Sequence, residues 1–109
     1  MVGYQIARVE VLRARAIASP PLPELFCSAL EGCRVKAWLR RGKYLMAELQ
    51  RDGGDGGYWG VHLRMTGQFL WMSQPQEPCR HTRVRFWNLQ EQELRFVDTR
   101  SFGEMWWVP

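Results

Sequence analysis

Cys33-Arg34-Val35-Lys36-Ala37-Trp38-Leu39-Arg40-Arg41-Gly42-Lys43-Tyr44-Leu45-Met46-Ala47-Glu48-Leu49 repeats with a period of two on either side of one glycine. Cys33, Val35, Ala37 and Leu39 alternate with Arg34, Lys36, Trp38 and Arg40. Beyond Gly42, Leu45, Ala47 and Leu49 alternate with Tyr44, Met46 and Glu48. Successive side chains of an extended chain point to opposite faces, so the pattern predicts two half-buried strands, with the Cys33 and Leu45 series turned to the core. Gly42, set among basic residues, predicts a hairpin or bulge that presents Arg40, Arg41 and Lys43 together.

The same period extends over most of the chain. Ile6 to Arg13 alternates, with Ala7, Val9 and Val11 opposite Arg8 and Glu10, until Ala18-Ser19-Pro20-Pro21 breaks it. Tyr58 to Arg64, Gln68 to Met72, Arg80 to Trp87 and Glu93 to Val97 read as further strands. They are separated by Met65-Thr66-Gly67, a loop from Ser73 to Pro78, and a polar turn from Asn88 to Gln92. Asp52 to Gly57 reads as a flexible turn. One segment has a different period: Leu22, Leu25, Phe26, Ala29 and Leu30 form a helical stripe, with Pro23 in the first turn and Gly32 as the stop. Many short strands and one amphipathic helix packed on a sheet predict a mainly β fold, an antiparallel sandwich or barrel, in one domain over residues 1–109.

Composition narrows the function. With 109 residues, 46% of them hydrophobic, the chain can bury a real core but has little room for an enclosed site taking several substrates. No apolar run approaches a bilayer span, the longest being Met105-Trp106-Trp107-Val108, so a soluble intracellular protein without a membrane partner is expected. Cys27, Cys33 and Cys79 form no Cys-x-x-Cys pair and are expected to be buried reduced thiols, with neither a disulfide framework nor a zinc site signalled. The net charge is +4, and thirteen of the fifteen basic residues are Arg, whose planar fork suits phosphate oxygens and base edges. An Arg-rich proteome explains the same count.

Four clusters carry candidate chemistry, and each has a plainer reading. Arg40 to Tyr44 is the densest positive group, which fits phosphate binding or a solvated face. In Val61-His62-Leu63-Arg64-Met65-Thr66-Gly67, Met65 is either a core methionine or an apolar wedge at a basic loop tip. His81, Arg83 and Arg85 share one strand face, as a phosphate-binding stripe or as the charge that keeps an edge strand unpaired. Arg100 and Phe102, two apart in a loop, suit hydrogen bonding to a base and intrusion between bases. No Ser/His/Asp or metal-ligand constellation emerges from the sequence.

In order, Val2-Gly3, Arg41-Gly42-Lys43-Tyr44-Leu45, His62-Leu63-Arg64-Met65-Thr66-Gly67, His81 and Asp98-Thr99-Arg100-Ser101-Phe102-Gly103 with Trp106 resemble the N-terminal β-sandwich domain of the formamidopyrimidine-DNA glycosylases. The resemblance spans Val2 to Pro109. It implies double-stranded DNA with oxidised purines as partner, and an enzyme that flips the damaged nucleotide out of the stack, excises it and cleaves the strand. Met65 and Phe102 fall on the family's apolar plugs and Arg100 on the partner of the orphaned cytosine. Lys43 falls on the lysine that contacts the backbone beside the lesion and donates a proton in β-elimination. His81, Arg41 and Arg64 fall on or beside DNA-contacting positions, and His62 on one that approaches a phosphate.

The chain also departs from the family. Its opening Met1-Val2-Gly3-Tyr4 matches the family after the first helix, without the Schiff-base proline and the acidic glutamate. The helix-two-turn-helix and zinc finger lie beyond the matched region, so neither cofactor nor metal is expected. Thr99 and Ser101 replace a proline and an arginine, and Arg64 a frequent glycine. The expectation is an incomplete domain of a base-excision-repair glycosylase/AP lyase, catalytically silent, weakly DNA-binding and inclined to self-associate. Alternatively it is a non-catalytic binding module or a remnant without function. Bacterial cytoplasm or another DNA-containing compartment is the expected location.

Overall fold

The computed structural model describes residues 3–74, 76–100 and 103–109. In chain order these form β1 (Arg8–Val11), a 3-10 turn (Ala14–Ala16), β2 (Ile17–Ser19), α1 (Pro23–Leu30), β3 (Arg34–Arg41), β4 (Tyr44–Arg51), β5 (Gly54–His62), β6 (Gly67–Met72), β7 (Thr82–Trp87), β8 (Glu93–Asp98) and β9 (Glu104–Val108). A four-stranded sheet, β1-β7-β8-β6, faces a five-stranded sheet, β2-β9-β5-β4-β3. The expected mainly β sandwich with one short helix is therefore the fold. Its strand pairs are antiparallel except β2 with β9, which is parallel.

Aromatic rings fill the space between the sheets. Trp59, fully buried on β5, lies 4.5 Å from Phe86 of β7 and meets Phe69 of β6 edge-on at 6.0 Å, and Phe69 packs on Phe96 of β8. Ala47, Leu49, Val61, Val84 and Met105 complete the centre.

The β3 alternation breaks where the sequence gives no warning. Val35 pairs with Leu49 and Ala37 with Glu48, so one extra residue sits on β3. Such a bulge exchanges the two faces beyond it. Trp38 therefore turns inward, 5.2 Å from the ring of Trp59, and Leu39, expected in the core, is 71% exposed.

Asp52 to Gly57 is only in part a turn. Asp52 and Gly53, with φ of 51° and 80°, close the β4–β5 hairpin, and β5 begins at Gly54. Asp-Gly with both φ positive is a two-residue turn whose twist suits antiparallel strands. Gly56 and Gly57 belong to the strand because neighbours occupy the space of a side chain. A Cβ on Gly57 would lie 2.5 Å from the Val108 carbonyl oxygen, and one on Gly56 3.1 Å from the Cys33 sulfur. The apolar tail forms β9. Its lack of alternation follows from Trp106, whose indole lies over Gly60 of the paired strand on the outer face, where a Cβ would come within 2.2 Å.

The helix packs less of its stripe than its spacing suggests. Phe26 and Leu30, one turn apart, are buried, whereas Leu22 and Leu25 remain half exposed. Eight residues at the end of the sandwich present one narrow line to the core. Pro23 opens the helix as expected, and Gly32, at φ 93°, ends it. The guanidinium of Arg51 donates to the last carbonyls, Ala29 at 2.9 Å and Glu31 at 2.8 Å. Among the cysteines Cys33 is buried and Cys27 half-buried, but Cys79, expected to be buried, is exposed. A hydrogen bond with the Thr82 hydroxyl lowers its thiol pKa.

Candidate functional site

Three connections leave the sandwich at the same end: the β3–β4 turn, the β5–β6 turn and the β8–β9 loop. The first is the two-residue turn Gly42-Lys43 between the paired Arg41 and Tyr44. Gly42 has φ 58°, the positive value that the first position of such a turn demands. Lys43 and Arg41 are exposed, and the Lys43 carbonyl accepts the Leu63 amide at 2.8 Å, joining the first turn to the second.

At the end of β5, His62 pairs across the sheet with Tyr44 on one side and Glu104 on the other. The Tyr44 ring lies parallel to the imidazole with centroids 4.0 Å apart. Arg64 adopts a left-handed φ of 55°, and its guanidinium donates to Glu104 at 2.7 Å. Met65 is 79% exposed at the turn tip, which removes the core reading and leaves an apolar side chain standing among cations.

The β8–β9 loop starts from Asp98, whose side chain is buried. One carboxylate oxygen accepts the Thr66 hydroxyl and, at 3.2 Å, the Arg100 amide; the other accepts the Gly103 amide at 2.6 Å. The Arg100 side chain is exposed. Phe102 and Ser101 lie outside the described residues. The Asp98 amide donates to the His81 carbonyl at 3.0 Å, which brings the start of β7 to the same end. His81 is half-buried; its Nε2 accepts from Arg80 at 3.3 Å, and its Nδ1 is buried without a hydrogen-bond partner among the described residues.

The phosphate stripe expected from His81, Arg83 and Arg85 is not formed. Arg83 is buried and donates to the Asp98 carbonyl at 2.9 Å. Arg85 belongs to an ionic layer on the outer face of the four-stranded sheet. There it bonds Glu93 at 2.9 Å and Glu10 at 3.3 Å and lies over Trp87, whose ring also carries Arg8 at 3.9 Å. Glu93, 2% exposed, also binds Arg95 at 2.7 Å. A register shift between Thr82 and Val84 breaks the alternation that would have aligned the three side chains. Arg83 and Arg85 are thus structural cations.

Arg41, Lys43, His62, Arg64, Met65 and Arg100 come together, with His81 behind them. Exposed guanidinium and ammonium groups around a protruding apolar tip can hold phosphates and enter a gap between bases. Sequence reasoning missed Tyr44, Thr66, Asp98 and Glu104 as supports. For Asp98 a local signal exists: an Asp ending a strand accepts backbone amides two residues on, in an Asx turn. Among the described residues no three His, Cys, Asp or Glu side chains gather as a metal site.

Comparison with known proteins agrees with the sandwich fold. The family described as "Formamidopyrimidine-DNA glycosylase N-terminal domain" matches residues 1–105. The chain is 58% identical to the formamidopyrimidine-DNA glycosylase of Prochlorococcus marinus (strain MIT 9313), over 100% of this chain and 41% of that protein. It is 62% identical to that of Parasynechococcus marenigrum (strain WH8102), over 97% and 37%. Among solved structures, the Lactococcus lactis enzyme on DNA containing an abasic site superposes with a TM-score of 0.85 at 25% identity, covering 99% of this chain and 39% of that one. The same enzyme with formamidopyrimidine-dG DNA gives 0.84 at 25% identity, over 98% and 38%. The chain spans about two-fifths of these proteins.

Proposed function

Because the chain belongs to the formamidopyrimidine-DNA glycosylase N-terminal-domain family, we propose that the end of the sandwich carrying Met65 is the lesion-facing half of a DNA cleft. Met65 enters the space left by an extruded nucleotide, and Arg100 hydrogen-bonds the cytosine left without a partner. Arg41, Lys43, His62, Arg64 and His81 hold the flanking phosphates. The lesion class is oxidised purines, in keeping with the relatives' name, and the setting a DNA-containing compartment such as bacterial cytoplasm. The observation that carries this reading is the gathering of Lys43, His62, Arg100 and the 79% exposed Met65 at one end.

The residues gathered at this end serve recognition. Lys43 contacts the DNA backbone beside the lesion. Binding to a duplex with a tetrahydrofuran abasic analogue opposite cytosine, followed by fluorescence anisotropy, tests the reading. Arg100→Ala and Lys43→Ala each weaken binding, and the affinity falls steeply with salt. Unchanged affinity in both variants overturns the reading.

A further inference from the structure

Asp98 serves two loops at once. Thr66, next to Met65, donates its hydroxyl to the Asp98 oxygen that also accepts the Arg100 amide at 3.2 Å. The Arg100 amide lies 3.4 Å from the Thr66 hydroxyl as well, so three groups from two loops meet at one point. The second Asp98 oxygen holds Gly103, where the β8–β9 loop rejoins the sheet. The backbone of Asp98 is fixed too, its amide to His81 and its carbonyl oxygen to Arg83.

Packing couples the same two loops independently. Gly67, closing the β5–β6 turn, and Gly103, closing the β8–β9 loop, both lie against the ring of Phe96. A Cβ on Gly67 would approach that ring to 3.0 Å, and one on Gly103 to 2.8 Å. The two loops therefore share one aromatic floor and one buried carboxylate. A displacement of either breaks hydrogen bonds of the other, and a buried acceptor left unpaired is costly.

We propose that Asp98, with Thr66, is a positioning residue that makes Met65 and Arg100 act as a single inserting unit. This rests on the DNA-binding reading above. Met65 occupying the gap fixes the height at which Arg100 meets the unpaired base, and loss of the clasp lets each find its place alone.

A double-mutant cycle in the whole 109-residue chain tests this, with dissociation constants for the abasic-analogue duplex opposite cytosine. With the clasp intact, Met65→Ala and Arg100→Ala are coupled, their joint effect departing from the product of the single effects by about fivefold or more. In a Thr66→Val background the coupling falls, and in Thr66→Ser, which restores the hydroxyl, it returns. Amide hydrogen exchange at Arg100 and Gly103 accelerates in Thr66→Val relative to Thr66→Ser, while exchange in β4 and β5 is unchanged. Effects that already multiply in the unmodified chain, or coupling undiminished in Thr66→Val, overturn the inference while the DNA reading stands. Failure of the unmodified chain to bind the duplex overturns both.

Discussion

The rings of Tyr44 and His62, neighbours across β4 and β5, lie within 11° of parallel at a centroid separation of 4.0 Å. A stacked neighbour sets the orientation of an imidazole without using either nitrogen. Tyr44→Phe keeps the platform and Tyr44→Ala removes it. The expected loss in Tyr44→Ala is about 0.5–1.5 kcal/mol of stability, with weaker duplex binding and a downfield return of the His62 ring protons. Proton NMR of Tyr44→Phe, whose His62 shifts stay upfield, checks that stacking and not the phenol hydroxyl is responsible.

Arg64 offers a test of backbone strain against charge. Its φ of 55° is unfavourable for an L side chain by about 1 kcal/mol. The exposed pair with Glu104 offsets less than that. Arg64→Gly is therefore expected to raise stability by about 0.5 kcal/mol while weakening DNA binding and lowering its salt dependence. Urea denaturation and salt titration of binding measure the two effects separately.

Glu93 makes the ionic layer sensitive to acid. Burial pushes its carboxyl up, but hydrogen bonds from Arg85 and Arg95 outweigh this and hold the pKa below the ordinary value. A depressed carboxylate stabilises the fold fully above the unfolded-chain value of about 4.3, and the contribution is lost as pH falls through the lower folded value. Glu93→Ala leaves two guanidiniums without their shared anion and is expected to cost about 3–5 kcal/mol at pH 7. In Glu93→Gln the slope of stability against pH below 4.5 flattens, which denaturant titrations at stepped pH would record.

The bulge in β3 assigns opposite fates to adjacent residues. Leu39→Ser is expected to change stability by no more than about 0.5 kcal/mol, and Trp38→Ala, which removes a ring from the core margin, to cost about 2–4 kcal/mol. The reverse ranking would mean that the alternation continues unbroken through β3.

Both findings show where the sequence is legible. Alternation in Leu45, Ala47 and Leu49 held because β4 keeps its register between two neighbours along most of its length. The same alternation failed in β3 because one inserted residue changes face without changing composition. Arg83 and Arg85 looked like free cations because a local pattern does not reveal Glu93, eight and more residues away, or the carbonyl of Asp98. The exposed positions of Lys43, Met65 and Arg100 were readable from their motifs, since they lie on turns that glycine marks. Their supports were not, because Thr66 and Asp98 meet only through the pairing of β6 with β8.

That meeting also bears on how the protein can change over time. Surface turns ordinarily absorb insertions freely, since water satisfies whatever backbone they expose. Here one side chain takes donors from two separate turns, Thr66 of one and Gly103 of the other, so lengthening either turn by a residue withdraws a partner from the other. The two turns can vary in side chain, but their lengths are locked to one another.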